Sequence, residues 1–255
     1  MTLQVDAVPA FRDNYIWVLH DGRQAAVVDP GEAEPALRFL ARNELTLGAI
    51  LLTHHHHDHI GGVDRLLESA DVPVFGPPDP RIPQVSNPCR DGDRITIDAP
   101  ALTFRVLETP GHTRSHIAFH GHGRLFCGDT LFSIGCGKLF EGTPAQMQAS
   151  FDKLAALPAD TAIHCGHEYT RANCEFALSV EPGNAELRRL AERVDRLRAA
   201  DRITLPSTLR IETRCNPFLR TREATVIEAA RRQDPACSGE PAAVFGVLRA
   251  WKDAG

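Results

Sequence analysis

The stretch "AILLTHHHHDHIGGVDRLLESA", Ala49 to Ala70, constrains the fold more than any other part of the chain. An apolar run suited to a buried strand leads into five histidines and one aspartate within six positions, His54 to His59, and a segment of helical spacing follows. The imidazoles therefore sit at the C-terminal end of a strand, on the rim where sheet-based sites form. In extended chain, side chains two apart lie on the same side, so His54 and His56 converge on one ion while His55 and His57 point away. Asp58 and His59, at the turn into the helix, diverge from that pair and are placed to serve a second ion. A purification tag would sit at a terminus, whereas this run lies mid-chain between a strand and a helix.

The rest of the first two thirds is strand-rich. "YIWVLHDGRQAAVVDPG" reads as two strands around an Asp21-Gly22 turn, and "LGAILLT", "VPVFG", "RITI", "LTFRVLETPG", "SHIAFHGHGRLFCGDT" and "TAIHCGH" are further strands. "GEAEPALRFLARNE", "GGVDRLLESA" and "PAQMQASFDKLAAL" have helical spacing, which suggests layered sheets flanked by helices. After His167 the pattern changes. "NAELRRLAERVDRLRAA" puts Leu187, Leu190, Val194 and Leu197 on one stripe, and "TREATVIEAARRQ" and "EPAAVFGVLRAWKD" also suit helices. The reading is a β-rich domain over residues 1–167 and a smaller, mainly helical one over 168–255.

At 43% apolar and 24% charged residues, with no apolar run near the ~20 residues of a membrane span, the composition is that of a soluble globular protein. The first residues have no basic start, apolar core or cleavage site, so a cytoplasmic location is expected. The seven cysteines are odd in number and include no C-x-x-C pair, which favours reduced thiols over a disulfide framework or zinc ribbon. A net charge of −5 argues against a nucleic-acid partner.

Two ions need more ligands than the run supplies, since catalytic zinc takes three protein ligands and keeps one position open. His112 in "ETPGHTRSH", Asp129 in "FCGDTLF" and His167 in "HCGHEYT" each follow a strand-like run in a Gly-containing turn. Taken singly each reads as a turn former; together with the run they point to metal. His116 is a core histidine or an outer partner of a ligand, and His20, His120, His122 and His164 have no ligand context. Neither a Ser-His-Asp nor a Cys-His pattern emerges, and Cys136 and Cys165 read as packing residues.

T-H-x-H-x-D-H at Thr53 to His59, followed by Gly-His112, Gly-Asp129-Thr and Gly-His167, resembles the binuclear metallo-β-lactamase superfamily. "GCGKLFEGT", "CGHEYT", "VEPGN", "LPSTL" and "NPFLR" are similar, more narrowly, to glyoxalase II, the hydroxyacylglutathione hydrolases. The resemblance spans nearly the whole chain. It implies an α/β fold, a four-layer αββα sandwich with a smaller helical C-terminal domain. His54, His56 and His112 would hold one divalent ion, and Asp58, His59 and His167 a second, with Asp129 bridging; zinc is the first choice, iron or manganese the others. Asp58 and Asp129 would hold the bridging hydroxide that attacks the thioester. The substrate implied is S-D-lactoylglutathione, cleaved to D-lactate and glutathione in the second step of methylglyoxal breakdown. A thiolate of pKa ~8.5 leaves without a general acid.

The same resemblance gives the glutathione moiety to Lys138, Tyr169, Arg249 and Lys252. Read without it, Arg249 and Lys252 are a solvated helix face. Phe140 stands where many relatives carry Tyr, so a hydroxyl contact to substrate is lost there. A monomer is expected. Other enzymes of the superfamily compete: a persulfide dioxygenase with a single iron, a β-lactamase or a phosphodiesterase. His59 with the full ligand set disfavours the typical β-lactamase, the R-x-x-K tail the dioxygenase, and the acidic balance the phosphodiesterase on RNA. A non-catalytic metal-binding module is disfavoured because three-plus-three ligands with one bridge leave open positions.

Overall fold

A computed structural model describes residues 3–254. The backbone packs as two compact units, one running to Glu108 and including Ser115–Gly128, the other made of Thr109–Arg114 and the chain from Asp129 onward.

The first unit begins with β1 (Gln4–Ala10), β2 (Asn14–His20) and β3 (Gln24–Val28), successive antiparallel neighbours. The β2–β3 connection is the turn expected at Asp21-Gly22. Asp21 Oδ1 accepts the N–H groups of Arg23 and Gln24, both at 2.9 Å, and Gly22 takes φ +94°, a conformation open to glycine. Strand β1 has no counterpart in the sequence reading. Asp6 and Pro9 dilute its pattern, but register with β2 along its whole length settles it as a strand. α1 (Ala33–Arg42) crosses to β4 (Thr46–Leu51), and α2 (His57–Ile60) with α3 (Val63–Ser69) lead to β5 (Val74–Gly76) and β6 (Asn87–Pro88), each strand parallel to its predecessor.

This mixed sheet is buried on both faces. Val18, Val27 and Ile50 pack with Ala36 and Leu40 of α1 and Val63 and Leu66 of α3, while the alternate residues Trp17, Leu19, Val28 and Leu51 are buried as well. A meander follows, with β7 (Arg94–Ile97), β8 (Leu102–Glu108), β9 (Ile117–Gly121) and β10 (Arg124–Gly128) paired antiparallel in sequence order. Phe104 meets Phe119 and Phe126 edge-on, and burying each ring contributes about 1.5–3 kcal/mol.

The second unit contains a tight hairpin, β11 (Leu131–Phe132) and β12 (Gly135–Cys136), then α4 (Pro144–Ala155), which starts on a Thr143/Gln146 capping box with Pro at its first turn. β13 (Ala162–Cys165) pairs with β14 (Ser207–Thr208). The remainder is helical: α5 (Thr170–Val180), α6 (Ala185–Ala199), α7 (Leu209–Cys215), a 3-10 turn at Pro217–Leu219, α8 (Ala224–Gln233) and α9 (Pro241–Ala254). The α6 stripe faces inward as its spacing predicts, with Leu187, Leu190 and Val194 packed against Ile134, Ala177 and Cys215. The mixed α/β architecture and the helical C-terminal region are those expected from the sequence. Among the described residues no helix is long and apolar enough to cross a membrane, and the seven cysteines are free thiols, all buried.

Candidate active site

The histidine run begins three residues after β4 ends and is shaped by Asp29, which follows β3. Asp29 adopts φ +51°, uncommon for a residue with a Cβ. Its carboxylate accepts the Thr53 N–H at 2.8 Å, the Thr53 hydroxyl at 2.7 Å and the His59 Nδ1–H at 3.1 Å. The Thr53 hydroxyl, having donated to Asp29, accepts from His54 Nδ1 at 3.0 Å. These partners assign the tautomers, leaving the Nε2 lone pairs of His54 and His59 for a cation. His54 Nε2 lies 3.2 Å from His56 Nδ1, the convergence that alternation predicts. His57 is exposed and His55 lies 3.8 Å from Asp79.

Asp58 is at the start of α2, with one carboxylate oxygen 3.5 Å from His59 Nε2 and 2.9 Å from the Asn14 amide nitrogen that donates to it. Gly31 is required beside it, because a Cβ there would overlap the Asp58 carbonyl. His116 is fully buried and stacks on His54 at 4.7 Å, so it packs the outer side of that ring. Asp29, His54 and His59 offer donor atoms within 4.8 Å of one another.

In the second unit, Asp129 holds the central place. Its Oδ2 lies 3.5 Å from His112 Nε2 and 3.3 Å from His167 Nε2, between the two imidazoles. The His112 Nδ1–H donates to the Lys138 carbonyl at 2.8 Å, again leaving Nε2 as the inward lone pair. Gly137 makes this approach possible, since a Cβ would overlap the Asp129 carbonyl and crowd His112. His167 is stacked on Tyr169 at 4.7 Å and 7°. This mixture of imidazole and carboxylate donors, with backbone and carboxylate groups behind the imidazoles, fits a divalent transition metal.

Beside Asp129 opens a cleft of about 330 Å³, lined by Phe132, Cys136, Lys138, Phe140, Tyr169, Asn173, Arg249 and Lys252 among others. All five residues expected to meet the substrate lie on it. Phe140 is 65% exposed and meets His112 edge-on at 5.3 Å, and Tyr169 is 37% exposed. Arg249 is only 5% exposed, so it does not belong to a solvated helix face. Its guanidinium donates to the Cys136 carbonyl at 3.0 Å and to Asp253 at 2.9 and 3.3 Å, and lies 5.7 Å from the Phe218 ring centre. Lys252 donates to the Asn173 side-chain oxygen and lies 5.4 Å from the Phe176 ring centre. Burial pushes its ammonium down to about 8, with the Arg249 charge acting in the same direction. Lys138 stands at the mouth, 3.9 Å from Asp253. Burial pushes the Cys165 thiol up to about 12 and raises that of Cys136, so neither is a thiolate nucleophile at neutral pH.

Sequence reasoning missed Asp29, Asn173 and Asp253. Asp29 sits in "VVDPG", which reads as a turn. Asp253 follows Arg249 by four residues, a spacing that marks an ion pair on a helix and was the available signal.

The family model of the metallo-beta-lactamase superfamily matches residues 10–83 and 80–167, and that of the hydroxyacylglutathione hydrolase C-terminus matches 168–255. The hydroxyacylglutathione hydrolase of Cupriavidus metallidurans is 55% identical, with 98% of each chain covered. That of Pseudomonas aeruginosa strain LESB58 is 51% identical over 98% of this chain and 99% of its own. Among solved structures, ETHE1 from Myxococcus xanthus superposes with a TM-score of 0.66 at 23% identity, covering 100% of both chains. TTHA1623, solved in a di-iron-bound form, gives 0.61 at 27% identity over 85% of this chain and 100% of its own. These likenesses show the metallo-β-lactamase fold.

Proposed function

The chain belongs to the hydroxyacylglutathione hydrolases of the metallo-β-lactamase superfamily, and on that premise we propose that it hydrolyses 2-hydroxyacyl thioesters of glutathione, S-D-lactoylglutathione foremost. The observation that carries this reading is the Asp129 carboxylate, set between His112 and His167 at the head of a cleft whose wall holds Lys138, Tyr169, Arg249 and Lys252.

In this reading His54, His56 and His112 would hold one divalent ion and Asp58, His59 and His167 a second, with Asp129 available to both. Zinc is the first choice, and the di-iron form of TTHA1623 supports a count of two on this fold. Two such ions, when bound, bring the pKa of water toward ~7 and polarise a carbonyl oxygen. Asp58 and Asp129 orient that water. The protein's other tasks are positional. Lys252 and Lys138 offer charge to the carboxylates of the glutathione moiety, and Tyr169, fixed by its stack on His167, offers a hydroxyl and a ring face. Arg249 contributes by holding the Cys136 carbonyl and Asp253 in place as well as by its charge. Phe132 and Phe140 give the cleft its apolar surface. The water oxygen bonds to the acyl carbon as the C–S bond breaks, the water's protons pass to solvent, and the sulfur departs as a thiolate of pKa ~8.5 without needing a donated proton.

We further propose that residues 1–167 form the catalytic domain and 168–255 the substrate-binding domain, in a cytoplasmic monomer that binds neither nucleic acid nor membrane. The free thiols suit a reducing compartment. Purified protein incubated with S-D-lactoylglutathione should release free thiol, lose that activity on chelation and regain it on metal addition. An absence of hydrolysis after reconstitution with zinc, iron and manganese would overturn the proposal.

A further inference from the structure

Three of the motifs that mark the subfamily, "VEPGN", "LPSTL" and "NPFLR", supply no side chain to the cleft. They meet instead behind the β11–β12 hairpin. The turn of that hairpin contains Ile134 at φ +60°, a conformation that β-branched residues rarely adopt. Its side chain is fully buried among Ala177, Leu187, Val194 and Cys215, so the unusual backbone seats the turn in the helical core.

Several backbone groups of this turn are held from behind. The Ile134 N–H donates to Glu212 at 2.8 Å. The Asn216 amide donates to the carbonyls of Gly135 at 2.9 Å and Phe132 at 3.3 Å, and to Glu212 at 3.0 Å. Ser207 donates to the other Glu212 oxygen at 2.5 Å, and the Asn173 amide donates to the Ser133 carbonyl at 2.9 Å. Glu212 and Asn216 are both fully buried. Arg220, at the end of "NPFLR", is tied to Glu181 of "VEPGN" at 2.7 and 3.1 Å, which anchors the bracket to the end of α5. In front, the same hairpin presents Phe132 and Cys136 to the cleft and leads directly to Lys138, whose carbonyl orients His112.

We propose that Glu212 is a positioning residue for the substrate cleft, its buried carboxylate gripping the strained Ile134 turn so that Phe132, Cys136 and Lys138 stand where the thioester's glutathione arm binds. The inference rests on the thioester-hydrolase reading. A leucine at 212 keeps most of the volume but offers no acceptor, so the Ile134 N–H and the Asn216 amide lose that partner; a glutamine could keep its oxygen on them while the Ser207 hydroxyl turns to accept from its N–H₂ group.

The test uses the metal-loaded full chain. Glu212→Leu should raise KM for S-D-lactoylglutathione about tenfold, with kcat changed less than about threefold and metal content unchanged. Exchange of the Ile134 amide should speed about tenfold or more relative to neighbouring core amides. Val226→Ala, which removes buried volume in α8 away from the hairpin, should lower Tm and leave KM alone. If Glu212→Leu yields no soluble protein, Ser207→Ala removes one donor to the carboxylate and should raise KM about threefold. KM within twofold of wild type in the soluble variant overturns the proposal, as does unaltered exchange at Ile134. Should wild type show no thioester turnover, the functional reading fails, while amide exchange still decides whether Glu212 holds the turn.

Discussion

Raising the pH from 7 to 9 should weaken substrate binding about tenfold through Lys252. Burial lowers this ammonium to about 8, so it is charged at pH 7 and largely neutral at pH 9. A neutral amine offers a carboxylate little beyond a weak donor. If only the charged form binds, KM scales with 1 + 10^(pH − pKa), a factor of about 1.1 at pH 7 and about 11 at pH 9. The sign for folding is opposite. The unfolded chain keeps its proton up to the ordinary lysine value, so this group makes the free protein more stable as pH rises from about 8 toward 10.5. Steady-state thiol release at constant ionic strength from pH 6.5 to 9.5 gives KM and kcat separately. Lys252→Arg is the control, because its guanidinium remains charged throughout; it isolates the lysine from the substrate's own amino group, which titrates in the same window. A wild-type KM that stays flat to pH 9, or a Lys252→Arg profile with the wild-type slope, would show that Lys252 is not the titrating contact.

Asp29→Asn should weaken metal affinity about 10- to 100-fold, because Asp29 fixes His59 and, through Thr53, His54; competition with a chromophoric chelator measures it, and unchanged affinity contradicts the role. Phe140→Tyr should lower KM about two- to fivefold without altering Tm, since the exposed ring gains a hydroxyl beside the cleft. Arg249→Ala should cost about 2–3 kcal/mol in urea unfolding, chiefly from the stranded Cys136 carbonyl and lost packing on Phe218. Its bond to Asp253 adds little, because that carboxylate is 38% exposed. A loss below about 0.5 kcal/mol would show that water replaces the guanidinium freely.

The ligand run was legible because two strong local signals flank it: the apolar strand before His54 and the helical spacing after Gly62. Alternation pairs His54 with His56, whose ring nitrogens lie 3.2 Å apart. The β2–β3 turn was equally plain from Asp21-Gly22. What supports the ligands was not legible, because it depends on residues far apart in sequence. Asp29 reaches His59 across 30 positions, and Glu212 reaches Ile134 across 78. A lone Asp before Pro-Gly looks like a turn, and a lone Glu in "RIETR" looks like a solvated helix residue. Arg249 misleads for a related reason. Charge at helical spacing suggests a wet face, but Phe218 and the Cys136 carbonyl enclose the guanidinium, which only the folded chain reveals. Strand β1 shows the same limit on the fold, since its pairing with β2 outweighs a sequence that carries Asp and Pro.

The central claim is that seven side chains hold two ions that together serve thioester hydrolysis. Metal-stripped protein titrated with zinc, while the hydrolysis of S-D-lactoylglutathione is followed, tests it most directly. The rate should climb to its plateau at two ions per chain; full activity at one ion, or none at any loading, would rule out a two-ion centre.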